Sequence, residues 1–333
     1  VPRVKRGSKP LLSVIVIGYK MARQLHNTLY SLSSQYQRGV DEQDYEVIVV
    51  ENASAQNFDE SVLPSLGANF RFFRRDETAP TPVPAMNFAF EQCRGEIVGL
   101  LIDGARMVTP GVLQGVLMAH RLNPQALTVV PGYQFGDKPQ NESALEGYCE
   151  EVEQKLLASV DWQTDGYELF TVSSISGANP NGYLQPIMEC NCLFAPLENF
   201  RQIGFADERF NLRGGGAINL HMYRSLGLLP GSKLVVLPGE GSFHQYHGGV
   251  TTSGHADVAD QREQHRAQLQ AIWHNNFHSL RREPILLGAV PPQAQTYLQL
   301  SSAKAQLRFK RLKHMGLPAW EDDMPVAPDD TTA

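Results

Sequence analysis

Cysteine is scarce in this chain. The 333 residues hold four, and Cys93 and Cys149 stand alone, so a disulfide scaffold is excluded. Cys190 and Cys192 form a C-x-C with no second thiol pair near it, and buried free thiols are expected rather than a zinc site. No run approaches the roughly 20 apolar residues that cross a bilayer. Basic charge is not in excess: Lys and Arg number 29 against 35 Asp and Glu, a formal charge of −6, so nucleic acid is not an expected partner. The G-x-G-x-x-G signature is missing after the first strand pattern, which disfavours a nicotinamide oxidoreductase. A G-x-S-x-G elbow and a Walker loop are missing too, which removes the commonest hydrolase and NTPase readings. What is present is 42% apolar and 19% charged residues, enough for a sizeable core. The N-terminus carries Arg3, Lys5, Arg6 and Lys9 without an apolar signal core. The first residue is Val, so the chain reads as a processed or excised piece of a longer protein.

The first 135 residues alternate strand and helix patterns. Near-continuous apolar runs at 13–19, 46–50 and 96–102 are those of parallel strands covered on both faces, with further strands at 69–73 and 126–130. Leu25, Leu29, Leu32 and Tyr36 recur at helical spacing, a second helix spans about 85–93, and Pro110 opens a third at its first turn. Glu51 to Ser54 reads as a polar turn closing the second strand. After Tyr133 the pattern predicts helices over 142–159 and 217–226, strands at 190–195 and 233–237, and a loop over 173–182. A polar helix over 257–282 places Leu269, Ile272, Trp273, Phe277 and Leu280 on one side. The Pro-containing remainder reads as an extended arm, ending in an acidic and disordered segment over 321–333.

Three strand ends bear polar groups: Gly18-Tyr19-Lys20, Glu51-Asn52 and Asp103-Gly104-Ala105, with Asn87 opening the helix before the Asp103 strand. In an open α/β sheet, ligands settle at such carboxyl ends near a change in strand order. The stretches 13–20, 45–54, 85–89 and 95–103 together resemble the GT-A glycosyltransferases of the family-2 type. The resemblance is good over roughly residues 11–135 and patchier to about 252. It implies an α/β, Rossmann-like GT-A fold, a mostly parallel sheet flanked by helices, with a C-terminal helical and extended extension. The expected division is a nucleotide-sugar-binding half over 1–135, an acceptor-binding half over 136–252 and the extension over 253–333.

The resemblance also implies roles. The nucleotide base lies against Gly18 and Tyr19, Glu51 accepts a base N–H, and Asn52 and Asn87 contact base or ribose. The family's DxD element holds ribose and a divalent ion bridging the diphosphate, which suits Mg²⁺ or Mn²⁺. Here it reads Asp103-Gly104-Ala105, so the second carboxylate is missing, and Arg106 is the candidate to supply positive charge toward phosphate. His244 and His247, in a glycine-rich stretch over 239–249, are candidates to complete the metal site, and their spacing does not say which. Gly215 and Gly216, with Gly214, allow close backbone approach to a sugar or phosphate. The slots for an acidic base pair hold Ala217 and Ile218. The base candidates are therefore Glu240, favoured for its place beside the histidines, and Glu208, with Asp207, Glu189 and His221 behind them.

The implied activity is transfer of a sugar from a nucleotide-diphosphate sugar to a hydroxyl, in bacterial surface polysaccharide or glycolipid synthesis, with inversion as the family's prior. The implied partners are the donor, a glycan or glycolipid acceptor, and a second copy or an adjoining domain. The expected location is the cytoplasm, with contact to the inner membrane at most peripheral. A retaining enzyme and a scaffolding member that has lost catalysis are the alternatives.

Overall fold

Apolar runs become the middle of a sheet. A computed structural model describes residues 9–188, 190–247, 258–274 and 279–320; the basic N-terminal arm, Glu189, Gly248, Gly249, Asp257, Phe277 and the acidic end lie outside the described residues. The strands are β1 (Leu12–Gly18), β2 (Tyr45–Asn52), β3 (Phe70–Arg75), β4 (Ile97–Leu101), β5 (Arg106–Val108) and β6 (Ala126–Val129). They continue with β7 (Gly132–Phe135), β8 (Ser173–Ile175), β9 (Cys192–Pro196), β10 (Lys233–Val236), β11 (Ser242–His244) and β12 (Ile285–Leu286). The helices begin with α1 (Ala22–Ser31), α2 (Leu63–Leu66), α3 (Val83–Gln92), α4 (Val112–Leu122) and α5 (Gln140–Ser143). Then come α6 (Glu150–Ala158), α7 (Leu197–Gln202), α8 (Ile218–Leu228), α9 (Val258–Trp273) and α10 (Gln295–His314).

Among the described residues, the main sheet has the order β12-β10-β6-β9-β4-β1-β2-β3. It is parallel except for β9, which runs against both β4 and β6. Every position of β1 and β2 is buried. Alternate side chains divide between two cores: Ile15 and Ile17 face one, Leu12, Val14 and Val16 the other. Each such aliphatic side chain contributes roughly 1.5–3 kcal/mol on burial, so the register of the sheet is set by its own hydrophobic pattern. The first core also takes Leu269, Leu280, Ala294 and Tyr297 from the C-terminal region. The expected mostly parallel α/β sheet with a C-terminal helix is thus what the chain forms. The order reverses at β1, with β2 and β3 on one side and β4 on the other, which makes a switch point at the ends of β1 and β4.

A second sheet of order β5-β11-β7-β8 stands beside it. β11 pairs antiparallel with β5 and parallel with β7, so His244 lies directly opposite Arg106 on one side and Gln134 on the other.

Several local expectations are corrected. β2 runs through Glu51 and Asn52, which are buried strand residues and not a turn. β3 runs on to Arg75, because its arginines pair with ring faces and carboxylates instead of ending the strand. The helix expected over 142–159 is broken: α5 and a short 3₁₀ turn end at Gly147, with φ at 96°, before α6 begins. Ser173 to Ile175 is a strand, paired with β7. Pro110 precedes the helix cap at Gly111 rather than opening the helix. The helix expected to Arg282 stops at Trp273. The extended arm is largely α10, since its prolines, Pro291 and Pro292, stand before the helix start and none interrupts 295–314.

Candidate active site

β4 delivers Asp103 to the carboxyl edge, and the next residues are tied down at once. The Gly104 N–H donates to the Ile17 carbonyl at 2.7 Å, and the Thr28 hydroxyl donates to the Gly104 carbonyl. A Cβ on Gly104 would stand 2.6 Å from the Ile17 oxygen, so only glycine lets this turn close against β1. Asp103 Oδ1 accepts the Ala105 N–H at 3.0 Å, which leaves Oδ2 to face outward from the turn.

Oδ2 meets two imidazoles. His244 Nε2 lies 2.8 Å away and His247 Nε2 3.5 Å away, and the two nitrogens are 3.2 Å apart. The donor atoms of these three residues all fall within 4.8 Å of one another. Gln140 decides the tautomer of His244. Its Nε2 donates to the His244 carbonyl, so its Oε1 faces the ring and accepts from Nδ1 at 2.6 Å. The lone pair of neutral His244 therefore sits on Nε2, aimed at a carboxylate oxygen and at the second imidazole. Three electron-rich atoms converge, an arrangement that a proton or a cation must bridge.

The ionisation pattern fits that geometry. Burial drives the imidazole of His244 down to about 4, against the pull of Asp103, so it is neutral near pH 7. Burial also opposes charge on His247, but the Asp103 carboxylate outweighs it and raises His247 above the usual 6.5. Burial disfavours the Asp103 carboxylate in turn, and the two imidazoles overcome this and hold it well below the ordinary carboxylate range.

The segment carrying the histidines is clamped. Gln245 N–H donates to the Ala105 carbonyl, and its side chain bridges Gln24, Thr28 and Asn27 on α1. The Tyr246 N–H donates to Glu153 on α6, and its carbonyl accepts from Arg23 and Gln24. Arg106 is 7% exposed, and its Nε has no hydrogen-bond partner among the described residues. A guanidinium so buried, on the same strand-pair rung as His244, is suited to an anion.

The remaining expected residues divide. Gly18 ends β1, and Tyr19, beyond it, is 49% exposed with the Lys20 ammonium 5.1 Å from its ring centre. Glu51 is fully buried, accepting the Phe58 N–H at 2.8 Å and the Arg74 guanidinium at 3.0 Å, so its acceptors are taken by the chain itself. Asn52 is different: its Oδ1 is buried without a partner among the described residues. Asn87 spends its amide on Ala206, donating to its carbonyl and accepting its N–H, which fastens α3 to the turn after α7. Gly214, Gly215 and Gly216 have φ of 71°, 84° and 58°, the left-handed region that favours glycine, and Gly214 donates to the Pro80 carbonyl.

Glu240 is not beside the histidines. The β5–β11 register puts Arg106 opposite His244 at one end and Val108 opposite Ser242 at the other, and Glu240 lies beyond that far end. Its carboxylate accepts the Thr109 and Tyr167 hydroxyls and the Gly111 N–H, at the start of α4. Glu208 is exposed on its turn, while Asp207 pairs with Arg209. His221 Nδ1 accepts from the Trp273 indole at 2.9 Å. Sequence reasoning passed over Gln140, Arg23, Glu153 and Arg75. Arg75 pairs with Asn52 in the strand register, and its Nε too is buried without a hydrogen-bond partner among the described residues. Following β3 two residues further would have found it; the others are brought in by tertiary contacts alone.

A mostly parallel sheet thus gathers a carboxylate and two imidazoles at its switch point. Residues 13–175, just under half of the chain, match the model of glycosyl transferase family 2. No curated protein matches the chain. Similar solved structures include crystal structures of S. aureus TarS. One has a TM-score of 0.49 and 13% identity, covering 91% of this chain and 43% of that one. TarS 1–349 in complex with UDP gives 0.48 and 14%, covering 92% and 72%. Its complex with UDP-GlcNAc gives 0.48 and 13%, covering 90% and 72%. The chain thus spans less than half the length of the first of these.

Proposed function

We propose that this chain is a glycosyltransferase that binds a nucleotide-diphosphate sugar across the ends of β1 and β4 and passes the sugar to a hydroxyl acceptor. The observation that carries the reading is the convergence of Asp103, His244 and His247, joined to a family-2 match that covers β1 and β4 and ends before the histidines. The three side chains would hold a divalent cation, and two imidazole nitrogens with one carboxylate oxygen suit Mn²⁺ better than Mg²⁺. When bound, such a cation neutralises charge on the departing diphosphate. Gln140 keeps the His244 lone pair turned inward, and Arg106 adds a fixed positive charge from the neighbouring strand. On the base side, Asn52 Oδ1 and Arg75 Nε offer an acceptor and a donor without partners among the described residues, with Tyr19 as an open ring face. Gly215 and Gly216 lie within the acceptor half, residues 136–252, and allow close backbone approach to a sugar or phosphate. The donor half is 1–135 and the extension 253–333. By the family's prior the transfer inverts, and Glu208 is then the exposed acid available as base.

A second reading, donor binding without transfer, is favoured by one observation: Ala217 and Ile218, in the slots for an acidic pair, are buried in the core. Calorimetric titration of UDP-GlcNAc with and without Mn²⁺ tests the first reading, with sugar release followed in parallel. Mn²⁺-dependent binding, lost at least tenfold in Asp103→Asn, is the expected result. Equal binding by that variant overturns the site, and tight binding without sugar release selects the second reading.

A further inference from the structure

The two imidazoles that face Asp103 are held by different means. His244 closes β11, so the paired strands on either side fix its backbone. His247 lies beyond the end of that strand, and among the described residues no strand pairs with it. The Gln245 N–H extends the β5–β11 ladder by one bond, to the Ala105 carbonyl at 2.8 Å. From Tyr246 onward the path of the chain depends on side chains.

Those side chains converge on Tyr246. Its N–H donates to Glu153 Oε2 at 2.6 Å, and its carbonyl accepts from Arg23 Nη2 at 3.0 Å and from Gln24 Nε2 at 2.7 Å. The same Arg23 Nη2 donates to Glu153 Oε1 at 3.0 Å. A carboxylate from α6 and a guanidinium from α1, paired with each other, therefore grip both polar groups of Tyr246. The carbonyl they hold belongs to the peptide bond that leads into His247. Glu153 is fully buried, and its Oε2 also takes the Tyr148 hydroxyl at 3.2 Å. The Tyr148 ring meets that of Tyr246 edge-on, with centres 5.8 Å apart. A second α6 carboxylate, Glu150, lies 2.8 Å from Arg23 Nε.

Stability alone does not account for a charged pair in this place. Withdrawing the two groups from water costs several kcal/mol, and apolar side chains of similar volume often stabilise a fold at least as well. What the pair does supply is direction, because a carboxylate and a guanidinium fork set hydrogen bonds at fixed angles. The Asp103 cluster does not include Glu153. Its influence there passes through the peptide that it holds.

We propose that Glu153, together with Arg23, is a positioning residue for His247: the pair holds the Tyr246 peptide so that His247 Nε2 stays on Asp103 Oδ2 as the third donor atom of the cluster. The assignment rests on the cation reading given above. Without the grip, His244 keeps its place through β11 and Gln140, and Asp103 through the Gly104 turn, while the cluster loses one donor.

The test measures Mn²⁺ affinity on the full chain by free-Mn²⁺ resonance, titrated into the millimolar range so that weak binding stays readable. The proteins compared are the unaltered chain, E153Q, H247A, the double variant E153Q/H247A, and D103N as the reference for the site. The expected result is binding about tenfold weaker in E153Q, with no further loss when E153Q is added to H247A. That non-additivity separates positioning from a general loosening, which would weaken binding equally with and without His247. Thermal melting checks folding. Should E153Q unfold, R23Q decides in its place, at a side chain that is 22% exposed, with the same loss expected and the same dependence on His247. Unchanged affinity in E153Q, or in R23Q where it stands in, overturns the proposal, and so does an equal loss in the H247A background. Mn²⁺ binding that is absent from the unaltered chain, or that D103N leaves intact, overturns the cation reading and the positioning role with it.

Discussion

At the scale of single residues, the site works by lone pairs. Gln140 forces His244 to point its free nitrogen at Asp103, and below its raised transition His247 holds a proton that bridges the cluster. A cation can enter only as that proton leaves. Mn²⁺ affinity is therefore expected to fall by about tenfold per pH unit on the acid side of the His247 transition, one proton being exchanged for one cation. It should level off above that transition, because Asp103 is already ionised and His244 already neutral there. Free-Mn²⁺ resonance measured across pH 6 to 9 checks it; an affinity flat across that range excludes His247 as a ligand. Asp103 and the histidines were legible in the sequence by residue type and order. Gln140 was not, because a buried glutamine has no pattern of its own until the fold brings it against a ring.

At the scale of elements, the short antiparallel pair β5–β11 does the sorting. Its register gathers Arg106 with His244 at one end and carries Glu240 to the other, where it caps the entry to α4. Sequence proximity to the histidines suggested catalysis for Glu240, but four residues along a strand-like path amount to about 13 Å. Glu240→Gln replaces an acceptor oxygen with a donor that faces other donors, and is expected to lower stability by about 1–3 kcal/mol. Thermal melting reads the loss, and Mn²⁺ and UDP-GlcNAc binding should stay unchanged; lost donor binding would return Glu240 to the site. Glu51 is a similar case at the end of β2. One more residue of strand turns a solvated acceptor into a buried one paired with Arg74, and leaves Asn52 Oδ1 without a partner among the described residues.

At the scale of the whole molecule, the C-terminal region packs into the first core instead of lying over the domain as an arm. Tyr297 donates from α10 to the Phe170 carbonyl, and Gly182 meets Ser301 at a contact that leaves no room for a methyl group. Gly182→Ala is expected to loosen α10 at a cost of about 1–3 kcal/mol, since its φ lies in the left-handed region. Faster proteolysis within 295–314, with residues 13–130 unaffected, is the measurement; an unchanged digest means that α10 does not depend on this contact. The parallel core was readable from the chain alone, because strands covered on both faces must be continuous apolar runs, and those at β1, β2 and β4 admit few other structures. The sequence likewise determined that Asp103 stands without a second carboxylate and that two histidines follow the last long strand. Only the tertiary structure decided which polar side chains remain free to meet a ligand. That depends on whether each donor and acceptor finds a partner far along the chain, 221 residues away for Gln245 on α1 and 119 for Asn87 at Ala206, and local pattern carries no information about such pairings.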